Sequence, residues 1–303
     1  MDAERELVLG GTGFLGPHLV DAIVALGRRV TVAARRPPPA SLRLPAGVDF
    51  VSVDGERPGA LVEDVARGKY ARIFHLAALS RTDEAEAAPA RALRLNRDWP
   101  AELAAAATAA GVPYVWASTD LVFGGRPPAD ALGYGPDEAP APVGVYGRSK
   151  AAGEEAVLAS AEGALVVRLP LLFGDSRGRA LGASDGLFEA LARGVTARLF
   201  TDEWRTPLDV VAAARGLVAL ERMGCTGRWH LGGRGVSRFE LGCALCLAAE
   251  LDPARLEPVQ RSNLGLAETR AEDARLDTRA TRALGSELSI CLDSGSAPHF
   301  RES

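Results

Sequence analysis

Short apolar runs alternate with longer stretches of helical periodicity along the first 170 residues. Residues 7–9, 30–33, 48–53, 73–76, 114–117 and 164–169 read as strands. Leu15, Leu19, Ile23 and Leu26 give segment 14–27 one apolar face, and the Ala-rich stretch 89–110 and segment 144–160 read as further helices. Strands separated by helices imply βαβ units, and right-handed crossovers then build a doubly wound α/β fold on a parallel sheet. After residue 170 the pattern is mixed. A helix is predicted over 206–222, a strand over 227–231, a helix from Ser237 to before Pro253, a loop over 256–270 and a short helix over 277–284. The tail, 286–303, is polar, poorly patterned and predicted to fray. Proline-rich 37–39 and the long 124–142 segment read as surface loops, the second long enough to serve a substrate site.

Composition narrows the class. The 303 residues are 47% apolar and 24% charged, ordinary for a globular protein with a sizeable core. A net charge of −4 leaves no basic excess for nucleic acid. No apolar run approaches the ~18 residues of a membrane span, and no secretory leader pattern opens the chain. A soluble cytoplasmic protein is the expectation. Of four cysteines, Cys243 and Cys246 form a C-x-x-C, but no second pair at zinc spacing and no neighbouring histidines accompany it. The pair lies in an apolar helical stretch and reads as packing, with no metal site expected.

The first strand runs into Gly10-Gly11-Thr12-Gly13-Phe14-Leu15-Gly16 and then a helix. Glycines at this spacing suit a tight turn, close backbone approach to a pyrophosphate and close helix–strand packing. The following helix N-terminus adds N–H groups and a positive dipole end. A Walker A loop is excluded, since Pro17-His18 stand where Lys-Ser/Thr is required. The fold is therefore expected to be of the Rossmann type. Strand two ends at Ala33-Ala34-Arg35-Arg36 without the acidic residue that usually holds an unphosphorylated ribose. Arg35 and Arg36 instead suit a 2′-phosphate, which favours NADPH, with NAD kept as the alternative cofactor. Asp54, after strand three, is placed to reach an adenine amino group.

Tyr146-Gly147-Arg148-Ser149-Lys150 gives Y-x-x-x-K on a helix, with both side chains on one face. A neighbouring ammonium favours the phenolate, so such a pair can exchange a proton with a carbinol oxygen. Only two of the 35 basic residues are lysine, Lys69 and Lys150, which gives Lys150 a reason to be lysine rather than arginine. Strand five ends in Ser118-Thr119-Asp120-Leu121-Val122-Phe123. A hydroxyl at the carboxyl end of a parallel strand can bind a substrate carbonyl, and on residue type alone Ser118 and Thr119 both qualify.

These segments, with H-L-A-A at 75–78, R-L-P-L-L-F-G at 168–174, L-F-T-D-E-W-R-T-P at 199–207 and W-H-L-G-G at 229–233, resemble the extended short-chain dehydrogenases/reductases. Within them, S-T-D-x-V-F makes the chain look most like the dTDP-4-dehydrorhamnose reductase family, over about residues 5 to 285. The resemblance implies a catalytic triad of Thr119, Tyr146 and Lys150. It implies a cofactor cradle of Gly10, Gly13, Phe14, Leu15 and Gly16, with Ala77, Ala78 and Leu79 lining the cofactor and Pro170 against the nicotinamide. Thr119, Asp120 and Arg205 fall on the substrate side, Arg205 matching an arginine that contacts a nucleotide diphosphate. The implied organisation is an NADP-binding domain over 1–170, receiving a strand and helix from about 205–232. A smaller C-terminal substrate-binding region covers 171–204 and 233–290, and a tail covers 291–303. The implied activity is reduction of a nucleotide-linked 4-keto-6-deoxy sugar, with a homodimer as the assembly and no nucleic-acid or membrane partner. Leu121 replaces the glutamate of the related dehydratases, and a Ser-rich epimerase segment is missing. A non-catalytic NADP-binding regulator, as in a methionine adenosyltransferase regulatory subunit of the same structural family, and a reductase or epimerase for another carbonyl are the competing readings. The chain departs from the family at Ala212, where an aspartate is usual, and in a longer interval between Thr119 and Tyr146.

Overall fold

The computed structural model describes residues 5–127, 131–266 and 270–294. The chain divides into two compact units. The first takes the described residues up to Thr119, then Gly144–Arg168 and Leu217–Trp229; the second takes Asp120–Val143, Leu169–Gly216 and the chain from His230 onward. By compactness, then, segment 120–143 groups with the second unit, where the sequence reading had put it with the first. The late segment returning to the first unit is also shorter than the 205–232 foreseen.

The first unit is built from β1 (Arg5–Leu9), α1 (Gly16–Val24), β2 (Arg29–Ala34), β3 (Asp49–Ser52), α2 (Gly59–Ala66), β4 (Arg72–His75), α3 (Thr82–Ala87), α4 (Pro89–Leu93), α5 (Trp99–Ala109), β5 (Tyr114–Thr119), α6 (Val145–Ser160) and β6 (Leu165–Leu169). Its seven-stranded sheet runs Gly227–His230, β6, β5, β4, β1, β2, β3. β1 pairs parallel with β2 and with β4, and β2–β3 and β4–β5 are parallel too. This is the doubly wound sheet expected from the alternating pattern. Strand order reverses at β1, and in such sheets ligands meet the carboxyl ends of strands at the reversal. Leu7, Val8 and Leu9 have no exposed surface, as suits a strand covered on both faces. On one side Leu7, Leu9, Ile73 and Trp116 pack against Trp99 and Leu103 of α5.

The predicted helix over 89–110 is not uniform. A π-turn, Arg94–Asp98, separates α4 from α5. Such single-turn bulges commonly sit at functional sites, and this one carries the fully buried Asn96. The prediction over 206–222 also shortens. Leu208–Asp209 pairs parallel with Leu172–Phe173 in the second unit. The helix then starts at Val210, with Asp209 Oδ1 accepting from the Val211 and Ala212 N–H groups at 2.8 and 3.2 Å.

Two expectations in the second unit are corrected. Segment 256–270 is not simply loop: Leu256–Val259 pairs parallel with Ala197–Phe200, and Arg261–Leu264 forms a 3-10 turn. Pro258 hid the strand in the sequence, and its partner lies far away along the chain. The tail is not frayed throughout. Ser286–Ser294 is a helix because Leu288 and Leu292, one turn apart, are both fully buried; the remainder of the predicted tail lies outside the described residues. Ala183–Ala192 is a helix the sequence reading did not foresee. Among the described residues no helix is long and apolar enough to cross a membrane.

Candidate active site

The glycine loop shows which glycines the backbone demands. Gly10 has φ +79°, and a Cβ there would stand 2.8 Å from the Ala77 amide nitrogen. Gly16 has no room either: a Cβ would meet the Gly11 backbone at 2.5 Å. Gly13 is exposed and turns back on Gly10, its N–H donating to the Gly10 carbonyl at 2.9 Å. Leu15 supplies no side-chain cap to α1, whose N-terminus presents its positive dipole end to the loop. Gly10 also donates to Ala33 at the end of β2 at 2.8 Å, which ties the loop to the strand carrying Arg35 and Arg36. Both arginines are exposed. Asp54 is exposed as well, its Oδ1 accepting from the Glu56 N–H at 3.0 Å in a local turn. Beyond β4, the Leu79 N–H donates to Asn96 Oδ1 at 2.8 Å while Asn96 Nδ2 donates to the Leu79 carbonyl at 3.1 Å and to Ser149 Oγ at 2.9 Å. One π-turn side chain thus fixes segment 77–79 and α6 together.

α6 carries the Y-x-x-x-K pair. Tyr146 is half-buried and packs against Leu79, Ala85 and Ala92. Lys150 is 1% exposed; its Nζ donates to the Ala117 carbonyl at 2.6 Å and lies 3.7 Å from the Trp116 ring centroid. Burial pulls the Lys150 pKa down to about 7, with Glu154 opposing the fall. The other three tyrosines are pushed up, chiefly by burial. His75 is fully buried, and burial, reinforced by the Lys150 charge, holds its pKa near 3. Tyr114 Oη donates to the Pro100 carbonyl at 3.0 Å, so it accepts from His75 Nδ1 at 2.7 Å. A neutral ring in that tautomer is a packing group.

One of the two hydroxyls at the end of β5 enters a buried network. Ser118 Oγ donates to Glu154 Oε1 at 2.6 Å. Glu154 and Arg168 are both fully buried and pair at 2.6 Å through Nη2 and 2.9 Å through Nε, and Arg228 reaches Glu154 at 3.3 Å. Ser118 therefore belongs to the support of α6, while Thr119, the next residue on the strand, points to the opposite face. Glu154 and Arg168 were missed in the sequence, although a lone arginine in the apolar strand Leu165-Val166-Val167-Arg168-Leu169 was a readable sign of a buried partner.

In the second unit, Pro170 is buried directly after β6. Arg205 is 6% exposed and lies between two carboxylates, Asp120 at 3.5 Å and Glu203 at 3.3 Å. Glu203 also accepts from Arg270 Nε at 2.8 Å. Burial would raise the Glu203 pKa, but Arg205, Arg270 and Arg238 outweigh it and hold it below its usual value. Cys246 is buried and Cys243 half-buried in the apolar cluster around Leu187, Leu191 and Leu241.

A parallel doubly wound sheet, a glycine loop at the strand reversal and a Tyr–Lys pair beside the β5 terminus define an extended short-chain dehydrogenase/reductase, a class of NAD(P)-dependent oxidoreductases. Residues 4–289 match the family model described as RmlD substrate binding domain, and the chain belongs to that family. It is 31% identical over 281 residues to dTDP-4-dehydrorhamnose reductase of Mycobacterium tuberculosis (strain ATCC 25618 / H37Rv), covering 91% of this chain and 86% of that protein. It is 32% identical over 237 residues to methionine adenosyltransferase 2 subunit beta of Danio rerio, covering 74% of this chain and 72% of that one. The match to the Pongo abelii subunit spans 64% of that protein's length. A solved structure of a hypothetical dTDP-4-dehydrorhamnose reductase from Sulfolobus tokodaii superposes with a TM-score of 0.78 at 23% identity, over 93% of this chain and 95% of that one. The Bacillus anthracis reductase, solved in complex with NADP, gives 0.76 at 22% identity, over 95% and 97%.

Proposed function

We propose that the protein is an NADPH-dependent reductase of a nucleotide-linked 4-keto-6-deoxy sugar. The observation that carries this reading is the placement of Tyr146 and Lys150 one turn apart on α6, with Lys150 Nζ held at the end of β5 by the Ala117 carbonyl.

The chain's own residues fit a dinucleotide. Gly10 and Gly16 close the loop where a Cβ would collide, and Gly13 leaves an exposed backbone surface for a pyrophosphate. Exposed Arg35 and Arg36 offer charge-assisted hydrogen bonds to a 2′-phosphate. Bound NADPH supplies the hydride. Thr119 hydrogen-bonds the substrate carbonyl oxygen and holds it as charge develops there. Tyr146 delivers the phenolic proton to that oxygen, and the Lys150 ammonium stabilises the phenolate left behind. Ala77, Ala78, Leu79 and Pro170 are the residues that would hold the cofactor. Asp54 meets the adenine amino group. Arg205, held by Asp120 and Glu203, takes the substrate diphosphate. Leu121 supplies no acid for the elimination of water, which separates this reading from dehydration.

The likeness to methionine adenosyltransferase 2 subunit beta supports a second reading, a dinucleotide-binding regulatory protein. Oxidation of NADPH and of NADH with a dTDP-4-keto-6-deoxyhexose separates the two. The reductase turns over with NADPH preferred, and Tyr146→Phe loses about 10²–10⁴-fold in kcat, the range of a lost general acid. Tight NADPH binding without turnover of any such sugar is the result expected of the regulatory protein.

A further inference from the structure

We propose that Trp116 is a positioning residue for Lys150: the face of its indole holds the ammonium in place beneath α6. The inference rests on the reading of Lys150 as the partner of Tyr146. Lys150 Nζ stands 3.7 Å from the centroid of the Trp116 ring, inside the ~6 Å reach of a cation–π interaction. Among the described residues Nζ donates one hydrogen bond, to the neighbouring Ala117 carbonyl, so ring face and carbonyl together fix the head group and leave donors of the ammonium for other work. Trp116 has no exposed surface, and its Nε1–H meets no acceptor. A fully apolar ring would avoid that unsatisfied donor, so hydrogen bonding does not account for an indole here; tryptophan is, however, the strongest aromatic partner for a cation. The helix is shaped around the ring. Gly153, one turn past Lys150, has no room for a side chain, since a Cβ would lie 2.6 Å from Trp116 Cη2.

The titratable groups that face Lys150 are Glu154, His75 and Tyr146. Glu154 on α6 is held by Arg168 of β6 and by Arg228. His75 on β4 is neutral and bonded to Tyr114. Tyr146 lies one turn earlier on α6. The indole and the Ala117 carbonyl, both on β5, favour the charged lysine without bringing a charge of their own.

The chain's two lysines make the test direct. Protein labelled with ¹³Cε-lysine gives two ε resonances, one from exposed Lys69, with Lys150→Arg assigning the other. The Lys150 ε-methylene of the wild-type protein is displaced upfield by the indole ring current; a resonance at the position of Lys69 would overturn the proposal without any variant having to fold. In Trp116→Leu the displacement is lost and the titration midpoint of Lys150 falls by about one unit, with a smaller fall in Trp116→Phe. Unchanged midpoints in folded variants would reduce Trp116 to core packing. In turnover, the same variants shift the pH profile of kcat while KM for NADPH holds. The NMR readings need neither substrate nor turnover. Loss of the reductase reading would therefore leave the Trp116–Lys150 contact standing, and loss of the contact would leave turnover unexplained but intact.

Discussion

Replacing Gly153 by alanine tests whether the packing beneath α6 is as tight as the structure requires. In a helix interior Gly→Ala is worth about 1 kcal/mol of stabilisation through backbone entropy and propensity. Here the added methyl falls well inside contact with the Asn96 carbonyl oxygen and 2.6 Å from Trp116 Cη2. Neither neighbour yields easily. The first is backbone in the π-turn whose side chain already holds segment 77–79, and the second is a fully buried ring. Overpacking of this kind costs roughly 1–3 kcal/mol and occasionally more. With two rigid partners the upper end applies, so the net expectation is a loss of about 2 kcal/mol. Gly186 provides the control: it lies inside the helix Ala183–Ala192 with nothing within 4 Å of a new Cβ. Gly186→Ala should therefore gain about 0.5–1 kcal/mol. Urea unfolding followed by circular dichroism should move the two midpoints in opposite directions. A Gly153→Ala protein as stable as wild type would show that α6 has slack against the π-turn, and the account of how Tyr146 and Lys150 are held would fail.

Lys150 makes stability depend on pH in a defined direction. Its folded pKa, near 7, lies below the ordinary 10.5, so between these values the unfolded chain binds more protons than the folded one. Lys150 should make stability rise with pH through that window and level off below about 7, where both states are protonated, while the raised thiols of Cys225, Cys243 and Cys246 act in the opposite sense toward pH 9; Lys150→Met should remove the rising contribution, and urea midpoints from pH 6.5 to 9.5 on both proteins decide it. Arg168→Met leaves fully buried Glu154 with Ser118 and the more distant Arg228, and should cost about 3–5 kcal/mol. Adding Glu154→Leu should recover much of that loss in thermal unfolding; if the double variant is no better than the single one, the buried charge is not what the arginine offsets.

Much of this site was legible without coordinates. The alternation of strands and helices, the glycine loop between β1 and α1, and the Y-x-x-x-K spacing are local features whose periodicity is set by the backbone itself. The four-residue step from Tyr146 to Lys150 places them on one helix face in any fold that keeps the helix. Asn96, Trp116, Glu154 and Arg168 could not be assigned that way, because each acts through a partner distant in the chain. The same holds for Leu256–Val259, whose strand exists through pairing with Ala197–Phe200.

What the amino-acid sequence alone determined was the alternating strands and helices of the first unit and the local motifs they carry: a glycine loop after β1 and a tyrosine and lysine one turn apart on α6. Only tertiary structure showed what holds Ser118. Ser118 and Thr119 are both hydroxyls at the end of one strand, and it is the Glu154 carboxylate of α6 that engages the first. Periodicity states which face a side chain takes; what waits on that face depends on which element folds over it, and that is a property of the packed chain.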